Sequence, residues 1–303
     1  EKFIKAKAYC DAPFEIRHVP GRKVRVPMTR EWIGDRKHDD PTLRPRTVDI
    51  RCTDASSQTL DENSVDAVFT DPPYFGNVQY AELMDFCYVW LRKLLGTETP
   101  GFALESTRNA SELTGNTSMK RDLEHFCDGL SLVFRRMAHA LRPGAPLAFT
   151  YHHNRIEAYY PVAAALLDAG LVCSATIPCP AEMGASIHIS GTGSSIIDTV
   201  LVSRSTGRVP RHTIPDASDG LANLVEKDIM ALREGNVAPT AGDIRCILYG
   251  HLARLAVWNL RGDWDAQTPT RKRIAAVASW IADFGASLSV DQFLGVADGD
   301  MPL

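Results

Sequence analysis

The chain has 303 residues, 45% apolar and 23% charged, with a net charge of -4, a globular composition sufficient for one large core or two smaller ones. No apolar run approaches a membrane span and no signal-peptide pattern opens the chain. The seven cysteines are odd in number and scattered without a C-x-x-C, which argues against a zinc site and for reduced thiols in a cytoplasmic protein.

Residues 1–46 carry 12 Lys/Arg against 7 Asp/Glu, so the rest of the chain is acidic. They show no sustained period and read as a basic, irregular lead-in, either a solvated leader or an arm that contacts nucleic acid. The chain starts with Glu1 instead of Met, as expected of a segment whose native start lies elsewhere. "TVDIRCTDAS" (47–56) reads as a short strand ending at Asp54, and "SVDAVFTD" (64–71) as a second, apolar strand bounded by turn formers. Leu83, Phe86, Cys87, Trp90, Leu91 and Leu94 then recur at helical spacing, with Gly96 as the C-cap and Trp90 expected in the core.

The polar stretch 97–120 lacks a period and is expected to be a mobile loop. Leu123, Phe126, Leu130, Val133, Phe134, Met137 and Leu141 predict the next helix, ended by "RPG" (142–144). "APLAFTYHH" (145–153) predicts a third strand, followed by a helix over 156–170. "LVCSATIPC" (171–179), with Cys173 and Cys179 as buried apolar residues, and "SIIDTVLVSR" (195–204) predict two more strands. Strands alternating with helices predict an α/β fold with a mostly parallel sheet and helices on both faces, closed by an antiparallel edge pair. From 207 onward, helical stripes (Ile244, Ile247, Leu248, Leu252, Leu255; Ile274, Val277, Ile281, Phe284) predict a C-terminal helical region, leaving 47–206 as the core.

The most informative residues are Asp71-Pro72-Pro73-Tyr74. In open α/β sheets ligands bind at the carboxyl ends of strands, and Asp71 sits at such an end. Two prolines fix φ and remove N–H donors, so the turn is stiff and its carbonyls are free to accept. A carboxylate, exposed carbonyls and an aromatic face together suit the holding of a planar base by its exocyclic amine while Tyr74 stacks on the ring. The amine lone pair is delocalised into the ring. Two acceptors on its hydrogens favour a pyramidal nitrogen, and an activated methyl donor then needs mainly in-line positioning.

Asp71-Pro72-Pro73-Tyr74 resembles the D/N/S-P-P-Y/F motif of S-adenosylmethionine-dependent amino-methyltransferases of nucleic acids. The wider "DPPYFGNVQYAELMDFCYVWLRKLL" is similar to the DUF1156 group of adenine-specific DNA methylases, some of which belong to anti-phage (antiviral defence) systems. "FRRMAHALRPGAPLAFTYHH" and "YYPVAAALLDAGLVCSATIPCPAE" extend the resemblance over roughly 48–204. It implies a Rossmann-like class I methyltransferase sheet, S-adenosylmethionine as cofactor and DNA as partner. By the same resemblance Asp71, Pro72, Pro73 and Tyr74 are catalytic, and Asp54 and Ala55, with Asp71, contact the cofactor. Asp54 reads equally as a strand-ending acid that caps its turn.

The family's Gly-rich F-x-G-x-G loop and the acid after its second strand are both missing upstream of Asp54. The G-x-G in "SGTGSS" (190–195) precedes a strand and reads as a loop. In the family's sheet the first strand lies beside the motif strand, whose edge would otherwise be bare and apolar. The expectation is therefore an incomplete sheet, with the cofactor loop supplied by an N-terminal segment or a partner chain. Phe75, Asn77 and Tyr80 are candidates for the base pocket, although Phe75 could equally be core. His152 and Asn154, with Arg155, are candidates for substrate or DNA contact; a rim histidine without a role is the plainer reading of His152. Adjacent His152 and His153 point to opposite faces, so no shared metal is expected. The expected activity is methyl transfer to a flipped base in DNA, foremost N6 of adenine. N4 of cytosine, a tRNA guanine-N2 methyltransferase and a non-catalytic nucleic-acid-binding subunit of a defence complex stay open.

Overall fold

The computed structural model describes residues 1–19, 22–28, 49–76, 78–181, 195–205, 218–285 and 288–298. The chain divides into two compact units, Glu1–Asp54 and Ala55–Leu303.

In the first unit, α1 (Lys2–Asp11) precedes a hairpin of β1 (Phe14–Val19) and β2 (Arg22–Pro27), antiparallel with Phe14 opposite Pro27 and Val19 opposite Arg22. The Phe14 ring receives the Tyr9 ring of the helix edge-on at 5.2 Å, which joins helix to hairpin, and the Arg25 guanidinium at 3.9 Å, a cation–π contact within the hairpin. This corrects the expectation of an irregular lead-in over 2–19 and 22–28; 20–21 and 29–46 lie outside the described residues. The strand expected over 47–56 is also absent from 49–56, where no residue belongs to a strand and Ile50 is exposed. Strand-like residues make a strand only where a neighbour accepts their hydrogen bonds.

The second unit is built on a four-stranded sheet in the order β3 (Val68–Thr70), β4 (Pro146–Tyr151), β6 (Ile197–Ser205), β5 (Leu171–Pro180). β3 and β4 are parallel, whereas β4–β6 and β6–β5 are antiparallel. The sheet is therefore mixed, which corrects the mostly parallel sheet expected from strand–helix alternation. β6 returns between β4 and β5, so the late strand pair is not wholly at the edge. Leu147, Phe149 and Tyr151 share one face with Thr199, Leu201 and Ser203 by register, and all six are buried.

That face carries α3 (Leu123–Ala140), α4 (Tyr160–Asp168) and α6 (Ala241–Leu260). Phe134 of α3 meets Phe149 at 5.1 Å, Thr199 Oγ1 donates to the Cys246 carbonyl at 3.1 Å, and Trp258 Nε1 donates to the Cys173 carbonyl at 2.7 Å. The helices start where the sequence offers caps. Asp122 accepts from the His125 amide, and Thr240 with Asp243 forms a reciprocal capping box. Asp243 is buried and also accepts from Ser195 Oγ and the Ile196 amide, both at 2.7 Å, which ties α6 to the start of β6. α5 (Ser218–Glu234), α7 (Thr270–Gly285) and α8 (Asp291–Asp298) complete the helical layer. On the opposite face, Val200 and Val202 are half-buried, Ile177 is exposed and Phe69 is 79% exposed. Among the described residues β3 pairs only with β4.

Two expectations between β3 and β4 are corrected. α2 (Tyr80–Leu95) forms and ends at Gly96 with φ +82°, but Trp90 and the rest of the predicted stripe are exposed. The 97–120 stretch is a packed, hydrogen-bonded structure. Gln79 Nε2 donates to Thr114 Oγ1 and the Gly115 carbonyl, both at 2.9 Å, and Arg121 pairs with Glu112 at 2.9 Å. Its polar composition is consumed in these bonds, which composition alone does not reveal. Cys173 is buried as expected; Cys179, towards the end of β5, is exposed. No helix among the described residues is long and apolar enough to cross a membrane.

Candidate active site

Asp71 directly follows β3, at the carboxyl end of the sheet and exposed to solvent. Pro72 is buried and Pro73 half-buried, so the turn is anchored while the acid is presented. Thr150 Oγ1, from the neighbouring strand β4, donates a short hydrogen bond to Asp71 Oδ1. The Tyr74 hydroxyl donates to the same oxygen at 3.1 Å. Both donors meet Oδ1, and neither engages Oδ2. Neutral donors hold a carboxylate in orientation without cancelling its charge.

The Tyr74 ring is fixed by two edge contacts, to Tyr151 at 5.3 Å and to His152 at 4.9 Å. Burial, reinforced by the Asp198 and Asp71 carboxylates, raises the Tyr74 hydroxyl well above the ordinary phenol range. It therefore stays protonated and remains a donor to Asp71. His152 Nδ1 lies 2.6 Å from Asp198 Oδ1 on β6. Thr150, His152 and Asp198 alternate with the buried positions of their strands, so all three reach the side of the sheet opposite the helical layer. His153 points the other way. Its Nδ1 accepts from the Arg155 amide at 3.0 Å, and burial lowers its pKa. Among the described residues no three His, Cys, Asp or Glu side chains group as metal ligands.

The other sequence candidates are spread around this centre. The Tyr80 hydroxyl accepts from the Tyr74 amide at 3.5 Å, so Tyr80 backs the turn from the first residue of α2. The Phe75 ring packs edge-on to Phe126 at 5.5 Å and takes the core role. Asn154 and Arg155 are exposed on the loop after β4, next to His153. Asn77 and residues 190–194 lie outside the described residues. Asp54 ends the first unit and Ala55 begins the second; both are exposed.

Three contributors were missed from sequence. Thr150 and Asp198 come from strands distant in sequence from Asp71. Asp198 had a signal of its own, as an acid inside the otherwise apolar "SIIDTVLV". Gly115 is the third. A Cβ at this position would come within 2.9 Å of the Gly76 amide nitrogen and of the Phe75 ring, so the 97–116 loop touches the motif turn where only glycine fits.

No family model matches the chain, and no curated protein matches it. Among solved structures, it is similar to a putative DNA modification methylase of Thermus thermophilus, at 14% identity over 64% of this chain and 78% of that one, with a TM-score of 0.27. A likeness of that extent assigns neither fold family nor activity.

Proposed function

We propose that this chain is the base-gripping part of an S-adenosylmethionine-dependent DNA methyltransferase, built on a Rossmann-like class I sheet and directed at N6 of adenine. The observation that carries the reading is the Asp71 carboxylate at the carboxyl end of β3, held through Oδ1 by Thr150 and Tyr74 beside the two-proline turn. A flipped base would give one amine N–H to Asp71 Oδ2 and the other to the Pro72 carbonyl, with the Tyr74 ring against its plane. Bound donor would supply a methyl group on a sulfonium. Asp71 accepts the proton that the nitrogen releases, and it need not remove that proton before attack because proton loss can follow methyl transfer. Tyr74, kept neutral, holds the acid in place throughout.

The residues fit the target side of this chemistry. The donor side is not met in the same way, because no F-x-G-x-G loop precedes Asp54 in the sequence. We therefore propose that an upstream segment or a partner chain supplies the donor site and adds strands beside β3. The β3 edge that is unpaired among the described residues and the exposed Phe69 support this. The free, scattered cysteines suit a cytoplasmic protein, and the DUF1156 resemblance suits a role in phage defence. Two measurements test the reading. Isothermal calorimetry of this chain alone with S-adenosylmethionine is expected to give weak or no binding; tight one-to-one binding would show that the donor site is here. Nucleoside mass spectrometry of DNA and RNA, with and without the gene, is expected to show a methylated adenine in DNA. A change confined to RNA would favour a tRNA base instead, and no change in either would favour a non-catalytic subunit.

A further inference from the structure

α2 is seated the wrong way round for a helix of a finished monomer. Its more polar side faces the protein. Asp85 accepts from the Thr107 amide at 2.7 Å and from Ser106 Oγ at 2.9 Å, Tyr88 donates to the Leu104 carbonyl at 2.8 Å and stacks on Phe102, and Arg92 Nε donates to the Phe102 carbonyl at 2.9 Å. Ala81, one turn before Asp85, is the buried residue of the helix. The stripe of Leu83, Phe86, Cys87, Trp90, Leu91 and Leu94 points away from this loop, with Phe86 74%, Trp90 57% and Leu94 82% exposed. An amphipathic helix places such a stripe against another element. A continuous exposed patch with Phe and Trp marks a protein interface.

We propose that this stripe is a homodimer seam, in which α2 packs antiparallel against α2 of a second copy. The charges at its margin choose the occupant. At 100° per residue, Leu83 and Leu94 lie on the centre line of the stripe. Glu82 and Lys93 lie on one flank, while Met84, Leu91 and Leu95 lie on the other. A two-fold antiparallel pair sets like flanks against each other. With Leu83 opposite Leu94 of the second copy, Cys87 falls opposite Trp90, and Glu82 of each chain lies within one turn of Lys93 of the other. The opposite rim then brings Met84 to Leu91, apolar against apolar. A parallel two-fold pair would instead set the Glu82–Lys93 flank of each chain against the apolar Met84–Leu91 flank of the other, leaving both charges without a partner. The seam is thus complementary to itself in one orientation, with two ion pairs at its rim. The inference does not depend on the chemistry at Asp71.

Light scattering on the eluting purified chain at about 50 μM is expected to give the mass of two 33.3 kDa chains. Trp90→Glu, at a site exposed in the single chain, is expected to leave the far-UV circular dichroism unchanged. It is expected to raise the dimer dissociation constant at least about a hundredfold, since both copies lose an anchor. Glu82→Lys and Lys93→Glu are each expected to weaken the dimer about three- to tenfold, and the double exchange to restore it. A short bis-maleimide is expected to link Cys87 to Cys87 in the dimer and not in Trp90→Glu. A wild-type chain that stays monomeric, or a dimer unaffected by Trp90→Glu, overturns the seam. A double exchange that restores nothing overturns its antiparallel order.

Discussion

Replacing Asp168 with Ala tests how the C-terminal helices are bound to the sheet layer. The Asp168 carboxylate is fully buried at the end of α4. It accepts from Ser131 Oγ of α3 at 2.6 Å and from Trp264 Nε1 at 2.9 Å, and it pairs with the Arg273 guanidinium of α7. The substitution removes the buried partner of Arg273, which keeps an ion pair to the exposed Asp128 at 3.2 Å, and it strands two donors. Removing one partner of a buried pair costs about 3–5 kcal/mol, and each unsatisfied neutral donor about 1 kcal/mol more. Arg273 keeps bonds to the Thr268 carbonyl at 2.8 Å and to Thr270 Oγ1 at 2.7 Å, which brings the total towards about 4 kcal/mol. With a urea slope of about 3 kcal/mol per molar for a unit of this size, the midpoint falls by about 1–1.5 M. Urea titration followed by far-UV circular dichroism reads this directly. The paired change Asp168→Ala with Arg273→Met is expected to cost less than the sum of the single changes, because no charge is then left buried alone. A midpoint shift below about 0.3 M for Asp168→Ala, or strict additivity in the double variant, would refute the reasoning.

Two further outcomes follow from the geometry. Gly115→Ala drives a methyl group into the motif turn at Phe75 and Gly76 and is expected to cost about 1–3 kcal/mol of stability in thermal or urea unfolding; Ser118→Ala, exposed in the same loop, serves as the control and is expected to cost little. Thiol titration of the native chain is expected to modify Cys52 and Cys179 readily and to spare Cys127 and Cys173, whose thiols burial pushes up to about 12 and about 11. Rapid modification of Cys127 before unfolding would contradict its burial, and protection of Cys87 that disappears in Trp90→Glu would mark the α2 seam.

Much of the second unit was legible because its signals are local. The Leu123–Leu141 stripe, the "RPG" stop and the short apolar runs that became β4, β5 and β6 each announce themselves locally. The apolar period of α2 was equally plain, yet periodicity says which residues share a face and not what covers it. Here a polar loop claimed the opposite face through Asp85, Tyr88 and Arg92, leaving Trp90 outside. Residues 49–56 show the same limit in reverse, since their strand-like residues pair with no strand among the described residues. Around Asp71, the acid, the prolines and the tyrosine could be read in one string. The groups that orient them, Thr150 on β4 and Asp198 behind His152, are 79 and 127 residues further along the chain and meet the motif only once the strands are ordered side by side. The order β3-β4-β6-β5, with β6 returning antiparallel, depends on long-range pairing that no local pattern states.

The central claim is that Asp71 grips the amine to be methylated. Its most direct test is nucleoside mass spectrometry of DNA from cells that express the intact gene product, comparing wild type with Asp71→Ala and confirming equal abundance and unchanged circular dichroism. Asp71 is exposed and its bonds to Thr150 and Tyr74 lie at the surface, so the substitution is expected to leave the fold standing. The account predicts N6-methyladenine above background with the wild type and its loss with Asp71→Ala. Undiminished adenine methylation in the Asp71→Ala strain would contradict it.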